Sequence, residues 1–201
     1  EGWDFYGALF PGSPVPLIGH NTNLGWSHTV NSPDLVDIYK LTINKSNKNQ
    51  YWFEGYWKDL EVKTVKIKVK IFGPLNWTFK RKVKKSIHGP VLEFDHGTYA
   101  LRISSLKDLR FVEQWYKMGK SQDIDDFKKA MNIHAIPMFN TGYADKDGKL
   151  YYVYNAKIPK RDSKYVWNKI LPGENKETLW YDYIPFDRLP YVYDPLEGFF
   201  Q

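Results

Sequence analysis

Alternation is the clearest pattern in the chain. Lys66, Lys68 and Lys70 alternate with Val65, Ile67, Val69 and Ile71, and a period of two puts lysines on one face of a strand and aliphatics on the other. Residues 61–72 and 77–87 therefore predict a hairpin around Gly73-Pro74. A solvated lysine face is the ordinary fate of such a strand, and it discourages edge-to-edge pairing. Ile38 to Ile43 alternates in the same way, so residues 3–43 read as a run of short strands. Residues 44–50, NKSNKNQ, form a polar loop, and Tyr51 to Lys58 is aromatic-rich and reads as a strand or packed turn. Strand character continues from Val91 to Arg102, and again over residues 136–156 with Asp145-Lys146-Asp147-Gly148 as the turn.

Helical spacing begins only after Ser104. Ser105-Leu106-Lys107-Asp108 has the form of a capping box, and Phe111, Trp115 and Met118 recur at helical intervals up to Gly119. A second helix is predicted over Ser121 to Asn132, with Ile124, Phe127, Ala130 and Met131 on one side. From Pro159 onward no period is evident, and that segment reads as a long ordered coil. The fold class is α+β: β-rich, with two short helices near residues 105–132.

Residues 11–31, PGSPVPLIGHNTNLGWSHTVN, break the simple pattern. A Pro/Gly-punctuated turn leads into two brief strands joined at a Gly19-His20-Asn21 corner, and backbone amides are exposed where the second strand stops. Prolines and glycines are costly in an ordinary strand, so the backbone path is under constraint here. His20 is expected to hydrogen-bond a neighbouring strand.

Composition changes this picture in three ways. With 8 Trp, 15 Tyr and 12 Phe, the chain favours a β-rich body with wide apolar contacts. With 0 Cys, disulfides, thiolate metal sites and a cysteine nucleophile are excluded. No apolar run approaches the roughly 18 residues needed to cross a bilayer as a helix, so no membrane span is expected. The net charge of +6 invites a nucleic-acid partner, and Lys80-Arg81-Lys82-Val83-Lys84-Lys85 could contact phosphates. No recognisable nucleic-acid motif accompanies that run, so none is assigned. The five histidines show no metal-ligand spacing, and no Gly-x-Ser-x-Gly elbow occurs.

Three blocks resemble one known family. Pro11-Gly12, Gly19-His20-Asn21 and Trp26, followed by Asp34-Leu35-Val36-Asp37, are similar to the early β-subunit of penicillin amidase-type acylases, a branch of the N-terminal nucleophile hydrolases. Ser86-Ile87-His88-Gly89-Pro90-Val91 and Asn140 to Gly148 resemble two later blocks of the same family, in the same order. The resemblance implies a segment of the four-layer αββα fold, with residues 1–201 forming a partial β-subunit domain truncated at both ends. It implies that the Val30 backbone N–H is one donor of an oxyanion hole. Ile18, His28, Trp115 and Phe139 would face an acyl pocket, although core packing is the other reading of Trp115 and Phe139. It also implies a calcium-binding turn at Asp34, Val36 and Asp37, where carboxylates and a carbonyl supply hard oxygen ligands. No cofactor is required for the reaction, and calcium would be structural.

The family's nucleophile is a serine at the N-terminus of the β-subunit, whose own amino group is the base. Its second oxyanion donor is an asparagine. By the resemblance, the serine belongs upstream of Glu1 and the asparagine just beyond Gln201. Asn140 belongs to a different motif and is not promoted to that role. The parent reaction is hydrolysis of an N-acyl amide in the periplasm or outside the cell. The partners are the α-subunit and the flanking parts of the β-subunit. Residues 19–43 look closer to acyl-homoserine-lactone and lipopeptide acylases than to penicillin G acylase, which suggests a long-chain acyl amide as substrate. A non-catalytic acyl-binding remnant and a basic nucleic-acid-binding β protein stay open as alternatives.

Overall fold

The computed structural model describes residues 2–200. In chain order these form β1 (Tyr6–Ala8), β2 (Ile18–His20), β3 (Leu24–Thr29), β4 (Val36–Leu41), β5 (Gln50–Phe53), β6 (Tyr56–Asp59) and β7 (Glu61–Phe72). Then come β8 (Leu75–Lys85), β9 (Pro90–Phe94), β10 (Gly97–Ile103), α1 (Phe111–Lys120) and α2 (Ile124–Met131). The chain finishes with β11 (Asn140–Asp145), β12 (Leu150–Tyr154), β13 (Leu171–Pro172) and β14 (Tyr191–Tyr193), joined by coil and short 3-10 turns. The chain divides into two units.

The first unit comprises residues up to Leu35, Ser104–Lys160 and Asp182 onward. Its sheet has the order β1-β2-β3-β11-β12-β14, and every pairing is antiparallel. Leu24 and Trp26 from β3, Tyr143 from β11, and Tyr151 and Val153 from β12 meet Trp115, Met118, Phe127, Ala130 and Met131 of the two helices in one core. The helical period thus finds its partner in the strand period, and each large side chain removed from water contributes about 1.5–3 kcal/mol. The Trp26 indole N–H also donates to the Leu17 carbonyl at 2.8 Å, which ties β3 to the segment before β2.

Both helices start later than their sequence signals suggested. Ser105 has φ 60°, and Asp108 N–H donates to the Ser105 carbonyl in a turn, so the capping-box pattern does not cap α1. The Asp108 carboxylate instead accepts from Arg110 and Lys157. For α2 the cap is Asp123, whose side chain accepts from Asp126 N–H at 2.9 Å.

The second unit comprises Val36–Ile103 and Arg161–Tyr181. Its main sheet has the order β13-β4-β10-β9-β8-β7, and β5 pairs with β6 separately. Tyr39, Leu41, Tyr51, Phe53, Leu60, Ala100 and Leu171 form its core. The hairpin expected around Gly73-Pro74 is present, with Val65↔Arg81, Ile67↔Phe79 and Val69↔Trp77 on one face. Only Lys84 and Lys85 of β8 pair onward to β9, so the ribbon projects and its aliphatic row is exposed as well as its lysine row. Gly89 is compulsory in its block: its φ is +143°, and a Cβ there would lie 2.0 Å from the Leu101 carbonyl oxygen.

Candidate active site

β3 runs from core to surface along one face. Leu24 and Trp26 are buried, His28 is half-buried, and Val30, one residue past the strand, is 73% exposed. These four residues share a face by the period of two. The β3–β11 ladder ends at Thr29↔Asn140, one residue before Val30. The corner leading into β3 is set by Gly19, whose φ is +150° and whose Cβ would meet the Tyr6 carbonyl oxygen at 2.2 Å. Asn21 fastens it. Its side-chain oxygen accepts from the N–H groups of Asn23 and Leu24, and its amide donates to the carbonyls of Gly119 and Ser121 at the end of α1. His20, by contrast, is exposed and reaches only the Asn21 carbonyl at 3.3 Å, so the expected cross-strand bond is not formed.

Ile18, His28, Val30 and Phe139 meet around a cavity of about 240 Å³, completed by Ala8, Leu9, Phe10 and Leu17. All eight residues lie in the first unit. Three of the four residues expected in an acyl pocket are therefore in one wall, together with the expected backbone donor. The fourth is not: Trp115 is buried behind the wall, and its indole N–H donates to His28 Nε2 at 3.0 Å. Its bulk is spent on the core against Phe111.

That contact fixes the chemistry of His28. An indole can only donate, so Nε2 must accept and the proton must sit on Nδ1. Nδ1 lies 3.2 Å from the Asn140 carbonyl oxygen and 3.1 Å from Thr141 Oγ1, both able to accept from it. Burial lowers the His28 pKa from 6.5 to about 4, only partly offset by the Asn140 carbonyl. The ring is therefore neutral, both nitrogens are committed, and it meets the cavity as an aromatic surface beside Phe139, 5.6 Å away between centroids.

Phe139 has φ 105°, a backbone conformation that costs a non-glycine residue on the order of 1–3 kcal/mol. Asn31 holds it there: its side-chain oxygen accepts from Phe139 N–H at 2.9 Å, and its amide donates to the Asn155 carbonyl. Asn31 is itself buried, so the residue after Val30 positions Phe139 in the cavity lining. Sequence reading passed over Asn31 because an asparagine at a strand end is ordinary turn chemistry. Asn140 stays outside the cavity wall: its side chain donates to Thr29 Oγ1 and accepts from the Tyr152 hydroxyl.

The model of one protein family, described as penicillin amidase, matches residues 1–201. The chain belongs to the penicillin amidase family. It is 27% identical over 169 residues to an acyl-homoserine lactone acylase, PvdQ, of Pseudomonas putida, covering 80% of this chain and 22% of that protein. It is 26% identical over 166 residues to the aculeacin-A acylase of Actinoplanes utahensis, covering 79% of this chain and 20% of that protein. The solved penicillin G acylase of Alcaligenes faecalis superposes with a TM-score of 0.84 at 27% identity, over 98% of this chain and 35% of that one. The fold is thus that of an N-terminal nucleophile hydrolase, and the chain spans about a fifth of the length of these curated relatives.

The calcium-binding turn implied by the family does not fit the residues present. Asp34 is exposed, and Val36 is the exposed first residue of β4. Asp37 is buried, but its carboxylate accepts from Arg161 Nε at 3.0 Å and from the Trp180 indole N–H at 2.6 Å. A guanidinium already balances the charge that a cation would need. Among the described residues no group of three or more His, Asp or Glu side chains is placed to hold a metal ion.

Proposed function

We propose that the complete protein hydrolyses the amide bond of an N-acyl substrate through an acyl-enzyme, and that this chain supplies the acyl pocket and half of the oxyanion hole. The observation that carries this reading is the position of Val30: a backbone amide just beyond the end of a sheet ladder, at the exposed side of an apolar cavity. Rigid donors aimed at developing negative charge are the largest single contribution to many acyl-transfer reactions, and a strand end held by the Asn31 network is rigid. An acyl tail would lie against Ile18, Phe139 and the neutral ring of His28, while the carbonyl sits at Val30.

By resemblance to the family, the nucleophile is none of the eight lining residues, which carry no hydroxyl or thiol. We assign it to a serine at a chain N-terminus, whose α-amino group, with a pKa of about 8, accepts the hydroxyl proton. Attack forms the serine–carbon bond and moves the carbonyl electron pair onto oxygen, where Val30 N–H and an asparagine from outside this chain receive it. Collapse expels the amine, and water then releases the carboxylic acid. The other partners are the α-subunit and the rest of the β-subunit, and the compartment is the periplasm or cell exterior. No described helix is long and apolar enough to cross a membrane.

The substrate we favour is an aliphatic N-acyl amide such as an N-acyl-homoserine lactone. Incubating the complete protein with acyl-homoserine lactones and with phenylacetylated amides decides the matter. Release of fatty acid from the lactones is expected. Cleavage of the phenylacetyl amides alone would overturn the aliphatic preference, and cleavage of neither would leave a non-catalytic acyl binder.

A further inference from the structure

We infer that the β7–β8 ribbon anchors the protein to an anionic phospholipid surface, with its tip set into the lipid interface and its lysine row on the headgroup phosphates. This goes beyond the acyl-amide reading and does not rest on it. Residues 62–92 hold eight lysines, one arginine and no Asp or Glu, which is more positive charge than the whole chain's net +6. The nearest carboxylates stand at the root of the ribbon, where Glu61 pairs with Lys63 and Lys85 and Glu93 pairs with Lys84. Farther out, no carboxylate among the described residues pairs with Lys66, Lys68, Lys70, Lys80, Arg81 or Lys82. Lys66 lies directly across the ladder from Lys80 and Thr64 from Lys82, and Lys68 and Lys70 continue the row. Like charges directly opposite each other destabilise a strand pair, so this face favours a negative partner from outside the unit.

The other face is apolar. Val65, Ile67 and Val69 run beside Phe79 and Trp77, whose rings are 6.2 Å apart, and all five are exposed. At the tip, where the register slips after Lys70, Phe72 and Leu75 flank the Gly73-Pro74 turn and are 82% and 61% exposed. Contiguous apolar surface left in water marks an interaction site, and three occupants compete for it. A second copy would cover the apolar row, but it would bring two ribbons of like charge together with no counter-charge. A nucleic acid would take the lysine row and leave the tip and the aromatic side chains in water. An anionic bilayer takes both, because it offers phosphates and hydrocarbon a few ångströms apart. Interfacial segments sink about 5–10 Å into the boundary between headgroups and acyl chains. Lys70, Lys68 and Lys66 follow the tip at steps of about 7 Å, and their flexible stems let the ammonium groups stay at the phosphates while the tip is buried. Tryptophan at that level, here Trp77, is a side chain that bilayer interfaces favour.

The test is sedimentation of the complete protein with phosphatidylcholine vesicles, with and without about one-third phosphatidylglycerol. Binding to the anionic vesicles alone is expected, and it should fall at least about tenfold between about 0.1 and about 0.5 M NaCl as the screening length shortens. Two double variants locate the surface, both in ribbon residues outside the core of their unit. Lys68→Gln with Lys80→Gln removes two unpaired cations, and partition should weaken by at least about tenfold. Phe72→Ser with Leu75→Ser keeps every charge but removes the apolar tip, and partition should weaken by a similar factor. An unchanged melting temperature reports that each variant is folded. Undiminished binding in either folded variant, binding that ignores salt, equal binding to neutral vesicles, or no vesicle binding at all would overturn the inference. Retention on duplex DNA without vesicle binding, abolished by the lysine variant, would make the ribbon a nucleic-acid surface and overturn it as well.

Discussion

His28 and His88 are both imidazoles that burial keeps uncharged, with different surroundings. His28 is neutral because burial disfavours its charged form, and the Trp115 indole N–H fixes which nitrogen keeps the proton. His88 is 2% exposed among Tyr39, Tyr51 and Phe53, and neither ring nitrogen has a hydrogen-bond partner among the described residues. Burial lowers its pKa from 6.5 to about 4, with Arg102 and Lys58 adding to the shift. The unfolded chain therefore binds protons at these sites that the folded chain refuses. Stability is complete above about pH 6.5 and falls as the pH drops toward about 4, by on the order of 1.4 kcal/mol per pH unit for each site. Urea unfolding at about pH 7 and about pH 5 should show this loss, and His88→Phe, which keeps the ring and discards the proton site, should reduce it. An unchanged pH slope in a folded His88→Phe variant would remove His88 from the account. The role of His28 was legible in the sequence only as a pocket position, because the partner that fixes its tautomer lies 87 residues away.

At the scale of elements, period was a better guide than end signals. The alternation in β7 and the spacing of Phe127, Ala130 and Met131 in α2 were both realised. Ser105 to Asp108 looked like a helix start, yet Asp108 is claimed by Arg110 and Lys157, whose side chains hold its carboxyl well below the usual range. The neighbouring Arg110 and the distant Lys157 together outcompeted the cap, and the Lys157 contact is one a local pattern cannot reveal. Asp123, the residue that does cap α2, should lose about 1 kcal/mol of stability on substitution by alanine, measured by denaturant midpoint. No loss would mean that packing alone sets that boundary. The hairpin of β7 and β8 shows the reverse limit: its period fixed the faces, but the sequence could not say that neither face would be covered within its unit.

At the scale of the whole molecule, the buried charges of Asp37 and Arg161 are matched to each other. The Asp37 and Arg161 side chains are 0% and 11% exposed, and removing one member of such a buried pair costs about 3–5 kcal/mol. Asp37→Asn should lower the melting temperature accordingly, while a calcium chelator should leave it unchanged; a chelator-induced drop would restore the metal that the geometry argues against. The family blocks were legible because they are backbone devices, such as Gly19 and Gly89, that tolerate no Cβ. Asn31 and Trp115 were harder to read because they act through other residues. The central claim is that the complete protein uses the Val30 amide to stabilise an acyl-transfer oxyanion, and one pair of variants tests it most directly. Turnover of an N-acyl-homoserine lactone by the complete enzyme should survive Val30→Ala, which keeps the N–H. It should fall by at least about 10²-fold in a folded Val30→Pro variant, which lacks it. A folded proline variant with undiminished turnover would contradict the account.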